Sequence, residues 1–390
     1  MFSKLFDSFL VHYLERFNDH CFTVKIGDNE YTIGDGESEF TVIVNRDIPK
    51  KDLLISAELA LGEAYMRKDI EIEGDLFKAL CVVLGHVGKD FINRKVLSSL
   101  FNAGLKKKDQ KQQVSSHYDL GNEFYKLWLD ETMSYSCAYF KHDDDSLKDA
   151  QYQKVHHILD KLYLKEGMTL LDIGCGWGFL LIEAARKYGV KGYGCTLSQE
   201  QWKKGQERIK EYDLEGQVEI ELIDYRDVAA SGRTFDRIVS IGMLEHVGRP
   251  NFPMYMEDAS DMLKGGGLFL LHYISDPSEK ETSAWIRKYI FPGGCLPSLR
   301  EMVSLAYDYD MNVIDVESLR YHYYKTLMHW YNNFQGVREQ VEAKRGSEFV
   351  RMWDLYLCGC AAGFYIGNMD LHQILMTKGV TNELPLTRWY

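Results

Sequence analysis

The chain has 390 residues, 45% hydrophobic and 27% charged, which describes a folded globular protein long enough for two domains. A net charge of −12 excludes the broad electropositive face that nucleic acid needs, so nucleic acid is not expected as a partner. No stretch is long and apolar enough to span a bilayer, and Met1 to Phe17 carries Lys4, Asp7, Glu15 and Arg16 where a secretory signal would be apolar. The eight cysteines (Cys21, Cys81, Cys137, Cys175, Cys195, Cys295, Cys358 and Cys360) form no C-x-x-C pair and no zinc spacing, which suits reduced thiols in the cytosol.

Thr23 to Ile33 alternates apolar and polar residues around Gly27-Asp28-Asn29. Phe40 to Val44 is a second β-branched run, and Pro49 precedes a helical stretch through Tyr65. Together they predict a small α+β module. From Lys89 to Leu105, Ile92, Val96, Leu97, Leu100 and Phe101 fall on one helical stripe that either packs into its own domain or lies on an anionic membrane. The stripe runs into Lys106-Lys107-Lys108-Asp109-Gln110-Lys111, where the domain boundary is placed: residues 1–112 form an N-terminal domain with a basic linker, and 113–390 a larger one.

In the larger domain Thr169–Ile173, Gly192–Thr196, Val218–Ile223, Phe235–Ile241 and Gly267–Ile274 are strand-like. Phe179–Tyr188, Gln199–Tyr212 and Pro253–Leu263 between them have helical composition. This alternation predicts a doubly wound α/β sheet, whose ligands bind beyond the carboxyl ends of the strands. Asp172 ends the first strand, and Gly174, Gly176 and Gly178 alternate with larger residues into a helix, whose N-terminus favours a ligand that approaches the main chain. A dinucleotide fingerprint would need glycine at Phe179, so NAD and FAD are disfavoured. The D-x-G-x-G-x-G pattern resembles the S-adenosylmethionine loop of Rossmann-like methyltransferases.

Several further motifs occur in order: His117 to Asn122, Tyr135 to Phe140, Thr196-Leu197-Ser198, Ser240 to Gly248, Tyr289 to Ser298 and Tyr323 to Leu327. With the glycine loop they resemble the cyclopropane fatty acid synthases and the related mycolic acid cyclopropane synthases, over roughly residues 113–390. The N-terminal module resembles, more loosely, the extra domain of the bacterial phospholipid enzymes, which favours phospholipid acyl chains as substrate. The resemblance implies a Rossmann-like S-adenosylmethionine-dependent methyltransferase fold with a smaller N-terminal α+β domain. The implied reaction is methyl transfer to the cis double bond of an unsaturated acyl chain, then proton loss and ring closure. Such a site must align a poor nucleophile, exclude water and place a base beside the new methyl group.

For the base the resemblance points to a bound bicarbonate ion, held by Glu245, His272 and Tyr323 with main-chain groups of Cys137 and Ile274. Read alone, His272 is an interior histidine satisfied by local hydrogen bonds. Around S-adenosylmethionine the resemblance places Tyr135, Ser136, Asp172, the glycine loop, Thr196, Leu197, Gln201, Asp224 and Arg226. Phe291-Pro292-Gly293-Gly294 with Pro297 is either a connecting loop or, as the resemblance implies, a wall of the active site. Cys358 to Gly363 is a small-residue patch suited to close helix packing. Two other readings stay open: a methyltransferase on this scaffold that gives a methyl-branched or hydroxylated chain or methylates a small amine, and a non-catalytic lipid-binding protein. The expected partners are a phospholipid bilayer, approached peripherally from the cytoplasm at the inner face of the membrane, and a second copy of the chain as a homodimer.

An acidic protein whose substrate sits in an anionic membrane needs a local basic patch, and each lysine near such a surface contributes about 1 kcal/mol. Changing Lys106, Lys107, Lys108 and Lys111 to Glu is expected to weaken sedimentation with anionic vesicles strongly at low salt and less at high salt. Equal binding of both proteins at low ionic strength would make the cluster a solvated linker.

Overall fold

The computed structural model describes residues 14–90, 120–388 and 390. The basic cluster at 106–111, the stripe from Ile92 to Phe101 and His117 to Asp119 lie outside the described residues. Two compact units are present. The first comprises residues 14–90, Thr282–Ile290 and Leu327–Asn368; the second comprises 120–281, Phe291–Thr326 and Met369–Tyr390.

In the first unit the alternation at Thr23 to Ile33 becomes two antiparallel strands, β1 (Phe22–Ile26) and β2 (Asn29–Ile33), with Ile26 opposite Asn29. Strand β3 (Phe40–Val44) runs parallel to β1, and β4 (Ile70–Gly74) runs antiparallel to β3, giving the order β2-β1-β3-β4. Phe22, Val24 and Ile26 point to one face, where they cluster with Phe40, Val44 and, from the helix Leu76–Asp90, Ala79 and Val82. The helix Ser347–Tyr365 packs on that helix through its small residues: a Cβ at Gly359 would lie 4.0 Å from Leu80. Arg351 of the same helix donates to the carbonyls of Tyr65 (2.6 Å) and Ile70 (2.9 Å) and lies over the Tyr65 ring.

The second unit holds a seven-stranded sheet, β10-β11-β9-β8-β5-β6-β7. Its parallel part comprises β5 (Thr169–Ile173), β6 (Lys191–Thr196), β7 (Val218–Leu222), β8 (Phe235–Ile241) and β9 (Leu263–Ser275). Helices Phe179–Tyr188, Gln199–Glu211 and Phe252–Met262 follow β5, β6 and β8 in turn, the last with a short helix before it. Beyond β9 lie β11 (Asp370–Lys378) and β10 (Met311–Ser318), each antiparallel to its neighbour and neither expected from the sequence. Their runs of Leu, Gln, Met and Asn carry no clean period of two, and tertiary pairing decides their conformation.

Both sheet faces are buried, so adjacent strand residues enter different cores. Leu171, Ile173, Ile238, Phe269, Leu271, Ile374 and Met376 enter one. Leu170, Val239, Leu268, Leu270 and Leu375 enter the other, together with Val155, Ile158 and Leu159 of the helix Leu147–Lys161. By the same alternation Asp172, His272 and Gln373 project to the second face, toward the side that carries this helix.

Gly178 caps the helix Phe179–Tyr188 at φ +79°, and a Cβ there would come 2.6 Å from Ile220 Cδ1. Gly178→Ala is expected to cost about 2 kcal/mol or more through left-handed strain and overpacking. A urea midpoint unchanged from the parent would contradict this role.

Candidate active site

A cleft opens at the carboxyl ends of β5, β6 and β8. Tyr135, Ser136, Asp172, Gly174, Gly176, Thr196, Leu197, Gln201, Asp224 and Arg226, all expected from the sequence, line it. Gly176 has φ +54° and a Cβ there meets nothing within 4 Å, so its main chain borders open space. Gly178 does not line the cleft, because its place is against Ile220.

The polar walls are preorganised. Ser198 caps the helix Gln199–Glu211, and Thr196 Oγ1 donates to Gln201 Oε1 (2.8 Å), which fixes the Gln201 amide. Asp224 caps the helix Tyr225–Ala230 and holds Arg226 by a bidentate pair, Nε to Oδ1 at 2.8 Å and Nη2 to Oδ2 at 2.6 Å. Tyr135 belongs to an aromatic cluster with Tyr125 and Trp128, each ring 5.4 Å away between centroids. Trp177 of the glycine loop donates to Asn122 Oδ1 at 2.8 Å.

Lys154 was missed by the sequence reading. It lines the cleft from the helix Leu147–Lys161, is buried, and donates to Ser136 Oγ at 3.1 Å. Burial lowers its pKa to about 8, against the pull of Asp130, Cys137 and Asp172. Burial raises Asp172 to about 7 while the Lys154 charge holds it down. Asp172 Oδ1 is buried with no protein partner. The available signal was two polar residues, Gln151 and Lys154, interrupting the buried face of a helix; Gln151 Nε2 donates to Ser136 O at 2.9 Å.

The five residues expected to hold an anion lie next to this wall but do not line the cleft. Ser136 in the wall precedes Cys137, and His246 in the wall follows Glu245. Glu245 Oε1 accepts from the main-chain N–H of Ile274 (2.7 Å), while Oε2 is buried without a protein partner. Burial pushes this carboxyl up to about 7. His272 is buried and held well below its ordinary pKa, first by burial and then by Lys154 and Lys161, so its ring is neutral. Its Nδ1 faces Gln373 Nε2 at 3.1 Å, and its Nε2 has no protein partner. Cys137 is fully buried and its thiol is pushed far up by burial, so it is no thiolate nucleophile. Its Sγ lies 3.9 Å from Leu319 O, and Ala138 N–H donates to Thr326 Oγ1 at 3.0 Å. Leu319, Tyr323 and Thr326 recur at helical spacing, which places the buried Tyr323 on the face that meets Cys137 and Ala138.

The Phe291–Pro297 loop does not line this cleft. It braces the neighbouring turn instead: the Phe291 ring packs edge-on against His246, and Cys295 N–H donates to Glu245 O at 2.9 Å.

This arrangement agrees with the comparisons. Residues 105–374 match the family model described as Mycolic acid cyclopropane synthetase. The chain belongs to this family. Residues 9–94 match a separate domain of unknown function, DUF7884. The chain is 40% identical to the cyclopropane-fatty-acyl-phospholipid synthase of Escherichia coli over 87% of its own length and 88% of the relative's. It is 37% identical to a probable fatty acid methyltransferase of Pseudomonas putida over 94% of each. The solved cyclopropane synthase MmaA2 from Mycobacterium tuberculosis superposes with a TM-score of 0.65 at 33% identity, covering 69% of this chain and 98% of that one. Mycolic acid cyclopropane synthase CmaA1, solved in complex with SAH and CTAB, gives 0.65 at 36% identity with the same coverage. The second unit thus has the Rossmann-like fold of the S-adenosylmethionine-dependent methyltransferases in this family.

Gly176→Val, which adds a branched side chain at a left-handed position facing the cleft, is expected to abolish S-adenosylmethionine binding. Calorimetry on the folded variant with near-native affinity would remove the loop from the site.

Proposed function

We propose that this protein is a cyclopropane-fatty-acyl-phospholipid synthase. It transfers a methyl group from S-adenosylmethionine to the cis double bond of an unsaturated phospholipid acyl chain, then removes a proton so that the ring closes. The observation that carries the reading is the pair of buried, partnerless atoms Glu245 Oε2 and His272 Nε2, next to a cleft suited to the methyl donor. In transfer to an amine or hydroxyl the proton to be lost is on nitrogen or oxygen and exchanges readily with water. Transfer to an alkene needs a placed base, because the cation that follows must lose a carbon-bound proton.

Bicarbonate fits this donor set, and bound there it would supply the base. Neutral His272 turns a partnerless Nε2 to the site, which donates when it carries the ring proton, the Tyr323 hydroxyl and the Cys137 main-chain N–H can donate, and Glu245 Oε2 can accept from a hydroxyl. Ile274 contributes by anchoring Glu245 Oε1 through its N–H. S-adenosylmethionine supplies the electrophilic methyl group. The chain's own contribution is to orient it with Asp172, Gln201 and the Asp224–Arg226 pair, to keep water away, and to present the Tyr135 aromatic ring, which stabilises a cation without adding to it.

No helix of the described residues is long and apolar enough to cross a membrane. In the proposed reading the enzyme meets its substrate peripherally, at the inner face of the cytoplasmic membrane. The Pseudomonas relative is named a probable fatty acid methyltransferase, and a second reading is a methyltransferase that leaves a branched acyl chain. Expression in a host without cyclopropane lipids separates the two. A methylene gain per acyl chain that resists mild hydrogenation supports the synthase, whereas a gain that takes up hydrogen supports the branched product.

Glu245→Gln is expected to lower kcat by roughly two orders of magnitude or more while S-adenosylmethionine affinity stays within about threefold. Bicarbonate depletion is expected to slow the parent enzyme markedly and the variant far less. Near-native turnover of the variant in bicarbonate-depleted buffer would sink the anion-base model.

A further inference from the structure

The second face of the seven-stranded sheet carries a buried polar chain that the proposed reaction does not itself require. Gln373 on β11 stands directly opposite His272 on β9 in the antiparallel register, and both are 1% exposed. Lys161, also 1% exposed, donates from Nζ to Gln373 Oε1 at 2.9 Å. Behind it, Lys161 pairs with Glu317 and lies 3.8 Å from Asp315. Glu317 also meets His157 Nε2 at 2.7 Å, and Asp315 takes Arg388 at 3.0 Å and the Tyr390 hydroxyl at 3.3 Å.

Donor and acceptor chemistry gives this chain a direction. An ammonium has three donors and no acceptor, so the Gln373 atom facing Lys161 must be the carbonyl oxygen. The amide nitrogen then faces His272 Nδ1, and an amide nitrogen only donates. Nδ1 must accept, so in a neutral imidazole the proton sits on Nε2. That is the nitrogen with no protein partner. We propose that Gln373, oriented by Lys161, is a positioning residue that fixes His272 as the Nε2–H tautomer and so makes it a hydrogen-bond donor toward the anion. The role in turnover rests on the proposed function, whereas the tautomer itself does not.

The test uses full-length protein labelled with 15N at histidine, with the His272 signals assigned through His272→Gln. In the parent, Nδ1 is expected to resonate as a pyridine-type and Nε2 as a pyrrole-type nitrogen; the reverse pattern, or a mixture, would overturn the relay. Gln373→Glu keeps the size and the Lys161 contact but presents only acceptors, so Nδ1 should become the protonated nitrogen. Turnover should then fall about 100-fold or more, as expected when a positioned imidazole holds the wrong tautomer, with the KM for S-adenosylmethionine within about threefold. If the variant instead forms an imidazolium, which keeps the Nε2 donor, retained turnover supports the proposal and lost turnover overturns it. Gln373→Met, which has no donor, gives the same reading should the charged variant not fold: a mixed tautomer with reduced turnover is expected, and an unchanged tautomer overturns the proposal. A parent that shows the Nε2–H tautomer but makes no modified lipid would end the proposed function and leave the relay standing.

Discussion

One ammonium group serves several buried sites at once. Lys154, buried on the helix Leu147–Lys161 beside the cleft, acts through its charge on Asp172, Cys137 and His272. The effects have opposite sense. The same charge that opposes burial at Asp172, favouring the carboxylate, adds to burial at His272, favouring the neutral ring. Were Lys154 neutral, Asp172 would lose the charge that favours its ionised form. The cleft and the inner cluster are thus electrostatically one site.

Strand periodicity made the parallel core legible, since β5 and β8 begin and end where their apolar runs do, and the glycine loop announced the ligand edge through Asp172, Gly174 and Gly176. Gly178 belongs to the same motif, and only the fold shows Ile220 behind it. Lys161 and Gln373 could not be read from the sequence for a different reason. They stand 212 positions apart, and Gln373 stands 101 from His272. Nothing local marks a glutamine as a partner when the strand that carries it is decided by its pairing with β9 and β10. The Phe291–Pro297 loop shows the converse: the resemblance singled out the right segment, and the structure gives it a bracing contact with Glu245 and His246.

The first unit draws on distant parts of the chain. Its four-stranded sheet comes from the N-terminal region, while Arg351, deep in the C-terminal third, donates to carbonyls of Tyr65 and Ile70. A helix such as Ser347–Tyr365 carries small and apolar residues that state a need for close packing without naming the surface. The charged fork of Arg351 adds the directional component, because two main-chain carbonyls at fixed positions satisfy a planar guanidinium that few other surfaces would.

Asp172 Oδ1, Glu245 Oε2 and His272 Nε2 are among the buried atoms of the second unit that have no protein partner. Each such atom costs a fold about 1–3 kcal/mol, a cost that a guest able to pair with it would relieve. The Glu245 side chain is tied down by the Ile274 N–H and that of His272 by Gln373. Relaxation toward other partners is therefore restricted, and the cost remains with the folded protein until a guest meets those atoms. Binding then recovers desolvation already incurred on folding and needs little reordering of side chains. The proposed reaction, which runs through a carbocation, would draw on that preorganisation, because a base that had to be gathered after methyl transfer would compete with water.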